Sequence, residues 1–354
     1  MKQTTMIFII KYLFIFFQIL FTDNQQINFI YFSSEIHLVI SGNGNQNIFS
    51  DLFNFEPDEV IVNKIPKASC KKSCIFDSEI NNVTIYFNDY IISCKNMFFN
   101  LSNIIEIDLS NFDFSRVITM EKMFMKCANL KKVNLGNMNT SLVTSLNSLF
   151  DHCEILESID IINFNTSSVT TMRHMFFHCH SLKSIVFPET FDTSNVIDME
   201  AMFSNCRTLT TLNLSLFNTR KVKKFCYMFN CCVNLTYLDI PNFSSNIIGD
   251  MNLTFRRLSS LIYLNILNLE INSNTFMKEA FDYSSPFIKV CANQPNMKNN
   301  LSSYSNIINN CSDICFIKDI KLDINLNKCI KSCKDNGYNY EYNNICYKQC
   351  PENT

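Results

Sequence analysis

Seventeen cysteines and five histidines give this 354-residue chain its widest chemical reach. Five of the cysteines, Cys127, Cys153, Cys179, Cys206 and Cys232, recur every 26 residues with one step of 27. Thiols set one strand spacing apart would stand within disulfide reach or form a redox or metal column. The same column holds Leu101 and Leu258 at its ends, which is how a small buried apolar position behaves, so buried free thiols are expected. His152 and His178 share a second column, with His174 and His180 beside them. His174 and His178 are four apart, a spacing that holds metals when it falls on a helix. No carboxylate from this stretch completes a coordination set, and the column is otherwise polar and variable, so a surface cluster without a resident metal is expected.

Catalysis finds no carrier. Five glycines and no Gly-rich loop argue against nucleotide binding, and no Ser or Cys nucleophile has a supporting His and acid. Cys179 and His180 are neighbours, but sequence adjacency does not set catalytic geometry. We assign no catalytic residue, no metal and no cofactor, and read the chain as non-enzymatic. A formal charge of −2 and the lack of a basic block with interleaved aromatics argue against nucleic-acid binding.

The elements that position these residues keep the same beat. Phe98, Phe124, Phe150, Phe176, Phe203, Phe229, Phe255 and Phe281 lie 26 residues apart with one step of 27, and Leu follows most of them six residues on. Such a period marks a solenoid, whose units cannot bury their apolar faces alone and must stack. After each Leu come two apolar residues separated by one polar residue, as in Val133/Leu135 and Leu212/Leu214, which predicts a short strand in a parallel sheet. An apolar column follows (Phe112, Met138, Phe164, Phe191, Phe217, Phe243), then an Asp/Asn-Thr-Ser corner whose side chains bond the backbone and start a turn or helix. From the corner the apolar residues step by three and four, as in Val117, Met120, Met123, Phe124 and Cys127, which predicts a short helix. The expected fold class is therefore α/β, a solenoid with one strand and one helix per turn.

The order Leu-x-x-Φ-x-Φ-x-x-Phe (Φ apolar), with Asn-Phe-Asp-Phe-Ser at 111–115, Asn-Phe-Asn-Thr-Ser at 163–167 and Met-Phe-x-x-Cys at 175–179, resembles the BspA-like leucine-rich repeat surface proteins, including those of the mycoplasma-lipoprotein type. The resemblance spans residues 97–285 and implies a leucine-rich-repeat-like solenoid with a recognition or attachment role through its exposed sheet. Where many leucine-rich repeats carry a buried Asn, this chain carries Phe or Met, so a phenylalanine spine replaces the asparagine ladder.

Residues 1–22, with Lys2, Lys11 and the apolar run Tyr12 to Phe21, read as a signal peptide, an uncleaved anchor being the alternative. Residues 23–96 lack the beat but contain strand-like Ile36–Ile40 and Val83–Phe87, and are read as a β-rich N-terminal cap over the first strand edge. Cys70 and Cys74 are disulfide candidates, with Cys94 another possible partner. Residues 286–354 form a cysteine-rich tail with Cys311/Cys315, Cys329/Cys333 and Cys346/Cys350 as further disulfide candidates, because a secretory context and a tail without His disfavour zinc. The ending Cys346-Tyr-Lys-Gln-Cys-Pro resembles the start of growth-factor-receptor-like modules.

Strand residues that alternate with the buried pair must form an exposed ribbon, in which Asp108, Lys132, Asp160, Tyr237, Asp239 and Tyr263 are the candidate ligand contacts. The expected partner is an extracellular protein or glycan, with surface association or self-association. A structural coat without a specific ligand is the alternative. Ten Asn-x-Ser/Thr sequons, among them Asn139, Asn165 and Asn213, are candidate glycan sites in a secreted chain.

Overall fold

A computed structural model describes residues 34–240, 243, 249–266, 269, 278–286 and 288–291, together with the backbone of short strands outside these ranges. Strands β1 (Gln18–Phe21) and β2 (Ile27–Ile30) pair antiparallel. A cap follows, made of β3 (Ser34–Ser41), β4 (Gly44–Asn47), β5 (Glu59–Val62), β6 (Ile65–Pro66), β7 (Ser73–Phe76) and β8 (Ile80–Phe87). The repeats contribute β9 (Ile104–Asp108), β10 (Lys132–Asn134), β11 (Ser158–Ile159), β12 (Ser184–Ile185), β13 (Thr211–Asn213), β14 (Tyr237–Asp239) and β15 (Tyr263–Asn265). Next come β16 (Lys289–Cys291) and β17 (Ile307–Ile308), and then β18 (Lys321–Asp323), β19 (Lys328–Ile330), β20 (Tyr340–Tyr342) and β21 (Ile345–Tyr347), a small sheet of order β19-β18-β21-β20.

Parallel pairing follows the sequence period: Val133 faces Ile107, Leu238 faces Leu212, and Leu264 faces Leu238. The ladder runs past residue 285, since Tyr263 pairs with Lys289 and Val290 with Ile307. A second parallel ladder joins the corners, linking Thr119, Ser145, Thr171, Asp198, Lys224 and Asp250 in turn. The one 27-residue step is absorbed at Pro188-Glu189-Thr190, where Phe191 N–H bonds back to the Pro188 carbonyl at 2.9 Å.

The expected helix is not there, and the α/β class is corrected accordingly: among the described residues no α-helix occurs. The run after each corner is a series of tight turns. In one coil, Met123 N–H bonds to Met120 O and Cys127 N–H to Phe124 O, each across three residues. The third residue of each turn has positive φ, as type II turns demand. Such residues come in pairs at Asn96/Asn100, Lys122/Lys126, Ser148/His152, His174/His178, Ala201/Asn205, Tyr227/Cys231, Leu253/Arg257 and Glu279/Tyr283. A left-handed residue every fourth position prevents helix propagation. The N–H groups between the turn bonds reach sideways instead: Met120, Lys122, Phe124 and Lys126 bond to the carbonyls of Ser145, Asn147, Leu149 and Asp151 at 2.7–3.1 Å. Steps of three and four fit this arrangement as well as a helix, because each turn returns the chain to the same face.

Inside the stack the phenylalanines form a continuous spine, with neighbouring ring centroids 5.0–6.0 Å apart from Phe98 to Phe281 and planes within 21° of parallel. Phe49 of the cap extends it by stacking on Phe98 at 5.7 Å. The cysteine column consists of buried free thiols. Each Sγ–H points at the carbonyl of the phenylalanine in the preceding coil, from Cys127 to Phe98 O at 3.0 Å through Cys232 to Phe203 O at 3.1 Å. Ser284, in the same column, makes the same bond to Phe255 O at 2.5 Å. Leu101 and Leu258 fill the same buried column without a donor, so the bond accompanies the small residues and is not required by the position. At the corners, buried Thr140, Thr166 and Thr193 donate to carbonyls of the following coil. Asn139, Asn165 and Asp192 accept from N–H groups two residues on.

The cap covers the first edge of the stack. Its β3 lies between β8 and β9, antiparallel to both, in a sheet of order β10-β9-β3-β8-β5-β6.

Candidate functional site

A strand sends alternate side chains to opposite faces. In β3, Ile36, Leu38 and Ile40 are buried, which leaves Glu35, His37 and Val39 on the open face. Register then fixes the neighbours: His37 faces Thr84 on one side and Asp108 on the other, and Asp108 faces Asn134. Thr84, His37, Asp108 and Asn134 therefore form one row across four strands, two from the cap and two from the stack. A second row holds Asn82, Val39, Glu106 and Lys132. Between them they line a shallow groove of about 260 Å³.

The first row is tied together. His37 Nδ1 lies 3.1 Å from Thr84 Oγ1, and Asn134 Nδ2 donates to Asp108 Oδ1 at 3.0 Å. His37 Nε2 lies 3.1 Å from Glu35 Oε1. This contact raises the His37 pKa above its ordinary value, against the effect of partial burial and with help from the charges of Glu35 and Asp108. Glu35 is correspondingly held below the usual carboxylate range, its bond with His37 outweighing burial. Burial pushes the Asp108 carboxyl up, but bonds from Ser110 and Asn134 and the nearby His37 outweigh it, so its pKa ends low. The groove thus offers ionised acceptors beside amide, hydroxyl, imidazole and ammonium donors. Such a surface recognises a polar ligand by many hydrogen bonds rather than by enclosing an apolar one.

Of the six candidate contacts, Asp108 and Lys132 line the groove. Asp160 is exposed one coil further along, and its Oδ1 accepts from Ile162 N–H at 2.9 Å. Tyr237, Asp239 and Tyr263 stand at the far end of the ribbon, beyond the strands bearing Ser158, Ser184 and Thr211. There the expectation of an exposed aromatic anchor needs correction: Tyr263 is only 3% exposed and Asn265 is also buried. The Tyr237 ring stacks on Tyr263 at 5.0 Å, and Tyr237 donates to Asp239 Oδ2 at 3.4 Å. The six residues are not brought together as one site. The sequence reading missed His37 and Thr84, although the alternation of Ile36 to Ile40 marked His37 as an outward position.

The histidines do gather, though not on a helix, since His152, His174 and His178 all have positive φ. His152 stacks on His178 at 4.4 Å, and its Nδ1 contacts buried Asp151. Burial, then the neighbouring His152, pushes His178 down to about 4. Among the described residues no group of three or more His, Cys, Asp or Glu side chains is arranged to hold a metal.

Of the disulfide candidates, Cys70 and Cys74 are bonded to each other, and Cys94 is a buried free thiol. Cys311, Cys315, Cys333 and Cys350 lie outside the described residues, and Cys329 and Cys346 are placed only as strand backbone.

Fold and groove define a repeat protein of stacked parallel coils, closed at one end by an antiparallel cap and carrying a polar groove. The chain belongs to the family described as "Mycoplasma protein of unknown function, DUF285", whose model matches residues 92–187 and 183–294, more than half of the sequence. That membership agrees with the BspA-like repeat resemblance, and the match leaves the cysteine-rich tail beyond residue 294 uncovered. The crystal structure at 1.19 Å resolution of a leucine-rich repeat protein from Bacteroides ovatus ATCC 8483 is similar over 68% of this chain and 71% of that chain, at 16% identity and a TM-score of 0.34. No curated protein matches the chain.

Proposed function

We propose that the protein is a non-catalytic binding module of the cell exterior, secreted or held at a cell surface, which engages an extracellular protein or glycan through the groove where the cap meets the stack. One observation carries the reading. The row Thr84, His37, Asp108 and Asn134 is assembled from four strands into a concave strip of donors and acceptors. The N-terminal segment read as a secretion signal and the Cys70–Cys74 disulfide support an oxidising, extracytoplasmic setting.

The test uses the full-length protein against an array of defined oligosaccharides and purified extracellular matrix proteins. A variant carrying His37→Ala, Asp108→Ala and Lys132→Ala should remain folded, though less stable for want of the His37 and Asp108 bonds, and should bind at least about tenfold more weakly, since lost polar contacts of about 0.5–1.5 kcal/mol each sum to that factor or more. Unchanged binding by this variant refutes the groove. Regular self-assembly of the wild type, with no bound partner, supports the structural coat instead.

A further inference from the structure

The corner between the apolar column and the turns has a constant frame. Its Thr (Thr140, Thr166, Thr193, Thr219) and its Val (Val143, Val169, Val196, Val222) are fully buried in four successive coils. The positions beside that frame, none of them buried, vary from coil to coil. They read Ser141, Leu142, Thr144 and Ser145 in the first of these coils, Ser167, Ser168, Thr170 and Thr171 in the second, and Ser194, Asn195, Ile197 and Asp198 in the third. In the fourth they become Arg220, Lys221, Lys223 and Lys224, four cations within five residues of a chain whose net charge is −2. Three coils fold the same corner without such residues, so the fold does not require them, and their mutual repulsion opposes it.

The corner ladder separates one of the four from the rest. Lys224 lies between Asp198 and Asp250 in register, with its Nζ 3.8 Å from Asp198 Oδ2, and is compensated by the neighbouring coil. Among the described residues, no carboxylate pairs with Arg220, Lys221 or Lys223. Lys221 Nζ instead meets the neutral Asn195 Oδ1 at 2.6 Å. The preceding coil presents Ser194, Asn195 and Ile197 at the matching positions, and the sequence one period further on, at 246, 247 and 249, carries no charged residue. The three uncompensated cations therefore form a ridge one coil wide, roughly the 4.8 Å of a strand spacing.

We propose that Arg220, Lys221 and Lys223 form a docking site for a linear sulfated polysaccharide, distinct from the groove at the cap. Basic clusters of this kind bind polyanions of the heparin type. A ridge one coil wide meets a single anionic chain, whereas a flat anionic membrane would need cations repeated along the stack. No aromatic residue lies within 219–224 to stack a nucleic-acid base.

The experiment measures binding of the full-length protein to size-defined heparin oligosaccharides and to their desulfated counterparts. Three exposed cations releasing counterions give a salt slope of roughly 2–3, so affinity should fall about 16- to 64-fold between about 50 and 200 mM salt. The variant R220A/K221A/K223A keeps Thr219 and Val222 and should bind at least tenfold more weakly at low salt. The swapped variant R220K/K221R/K223R should bind like the wild type, and so should K71A/K131A/K278A, which removes three exposed lysines elsewhere. Binding by the triple alanine variant within twofold of the wild type overturns the site. Equal binding to the desulfated chains overturns the ligand class. Tighter binding to phosphatidylserine vesicles or duplex DNA than to heparin assigns the ridge to a different partner and overturns the proposal.

Discussion

Replacing Lys126 by glycine and, separately, by alanine tests the turn architecture by sign. Lys126 has φ 63°, and its N–H bonds the Asp151 carbonyl of the next coil at 2.7 Å. Both substitutions remove the same side chain, so the Gly–Ala difference isolates the backbone. In the left-handed region a Cβ costs about 1–2 kcal/mol. Glycine's greater freedom in the unfolded chain takes back about 0.4–1 kcal/mol. Glycine should therefore be the more stable variant by about 0.5–1 kcal/mol. Had the segment been the helix that its apolar spacing predicts, alanine would win by about 0.8–1 kcal/mol. The two architectures thus differ by about 1.3–2 kcal/mol with opposite signs, well above the error of a comparison at equal m-value. The assay is urea unfolding of both variants, with native-state hydrogen exchange of the residue 126 amide as a local readout should the stack unfold in stages. An alanine variant as stable as the glycine variant, or more so, refutes the left-handed turn at this position.

Three further outcomes follow from the same geometry. Phe150→Ala removes a fully buried ring stacked between Phe124 at 5.1 Å and Phe176 at 5.8 Å, and should cost about 3–5 kcal/mol in denaturant unfolding, whereas Phe150→Leu should cost far less. Burial pushes the thiols of Cys127 and Cys232 up to about 12, so native protein treated with iodoacetamide at pH 8 should show Cys231 alkylated and the column unmodified by mass spectrometry, with all of them reacting after denaturation. His178 titrates near 4 when folded and near its ordinary 6.5 when unfolded, so the unfolded chain binds the proton first. Stability should therefore fall as pH drops from about 6.5 to 4, and His178→Gln should flatten that part of the melting profile.

Much of the stack was legible in the residues themselves. The phenylalanine beat set the period, although the spine was expected at Phe112, Met138 and Phe164 and the continuous ring stack runs through Phe98 to Phe281; the period-two alternation at pairs such as Val133/Leu135 placed the strands in register, and Asn139-Thr140-Ser141 marked a corner that the backbone uses. The column of Cys with Leu at its ends identified buried thiols, but not the bond each makes to a phenylalanine carbonyl 29 or 30 residues back. The groove was half legible. Asp108 and Lys132 came from the ribbon, whereas nothing along the chain connects His37 with Asp108.

The sequence by itself determined the period, the buried columns and, except at β15 where Tyr263 and Asn265 are buried, which strand residues are exposed, because these depend on local spacing and on the need to hide apolar surface. Only the tertiary structure decided what the backbone does between corner and strand. The apolar steps after Val117 satisfy a helix and a run of tight turns equally, and the choice rests with the coil alongside, whose carbonyls accept the N–H groups that a helix would use internally. It likewise decided the polar groove. A row of polar groups drawn from residues 37, 84, 108 and 134 exists only when β3 pairs with β8 on one side and β9 on the other. It also decided which cations remain uncompensated, since Lys224 is balanced by carboxylates one coil away that its own stretch of sequence does not contain.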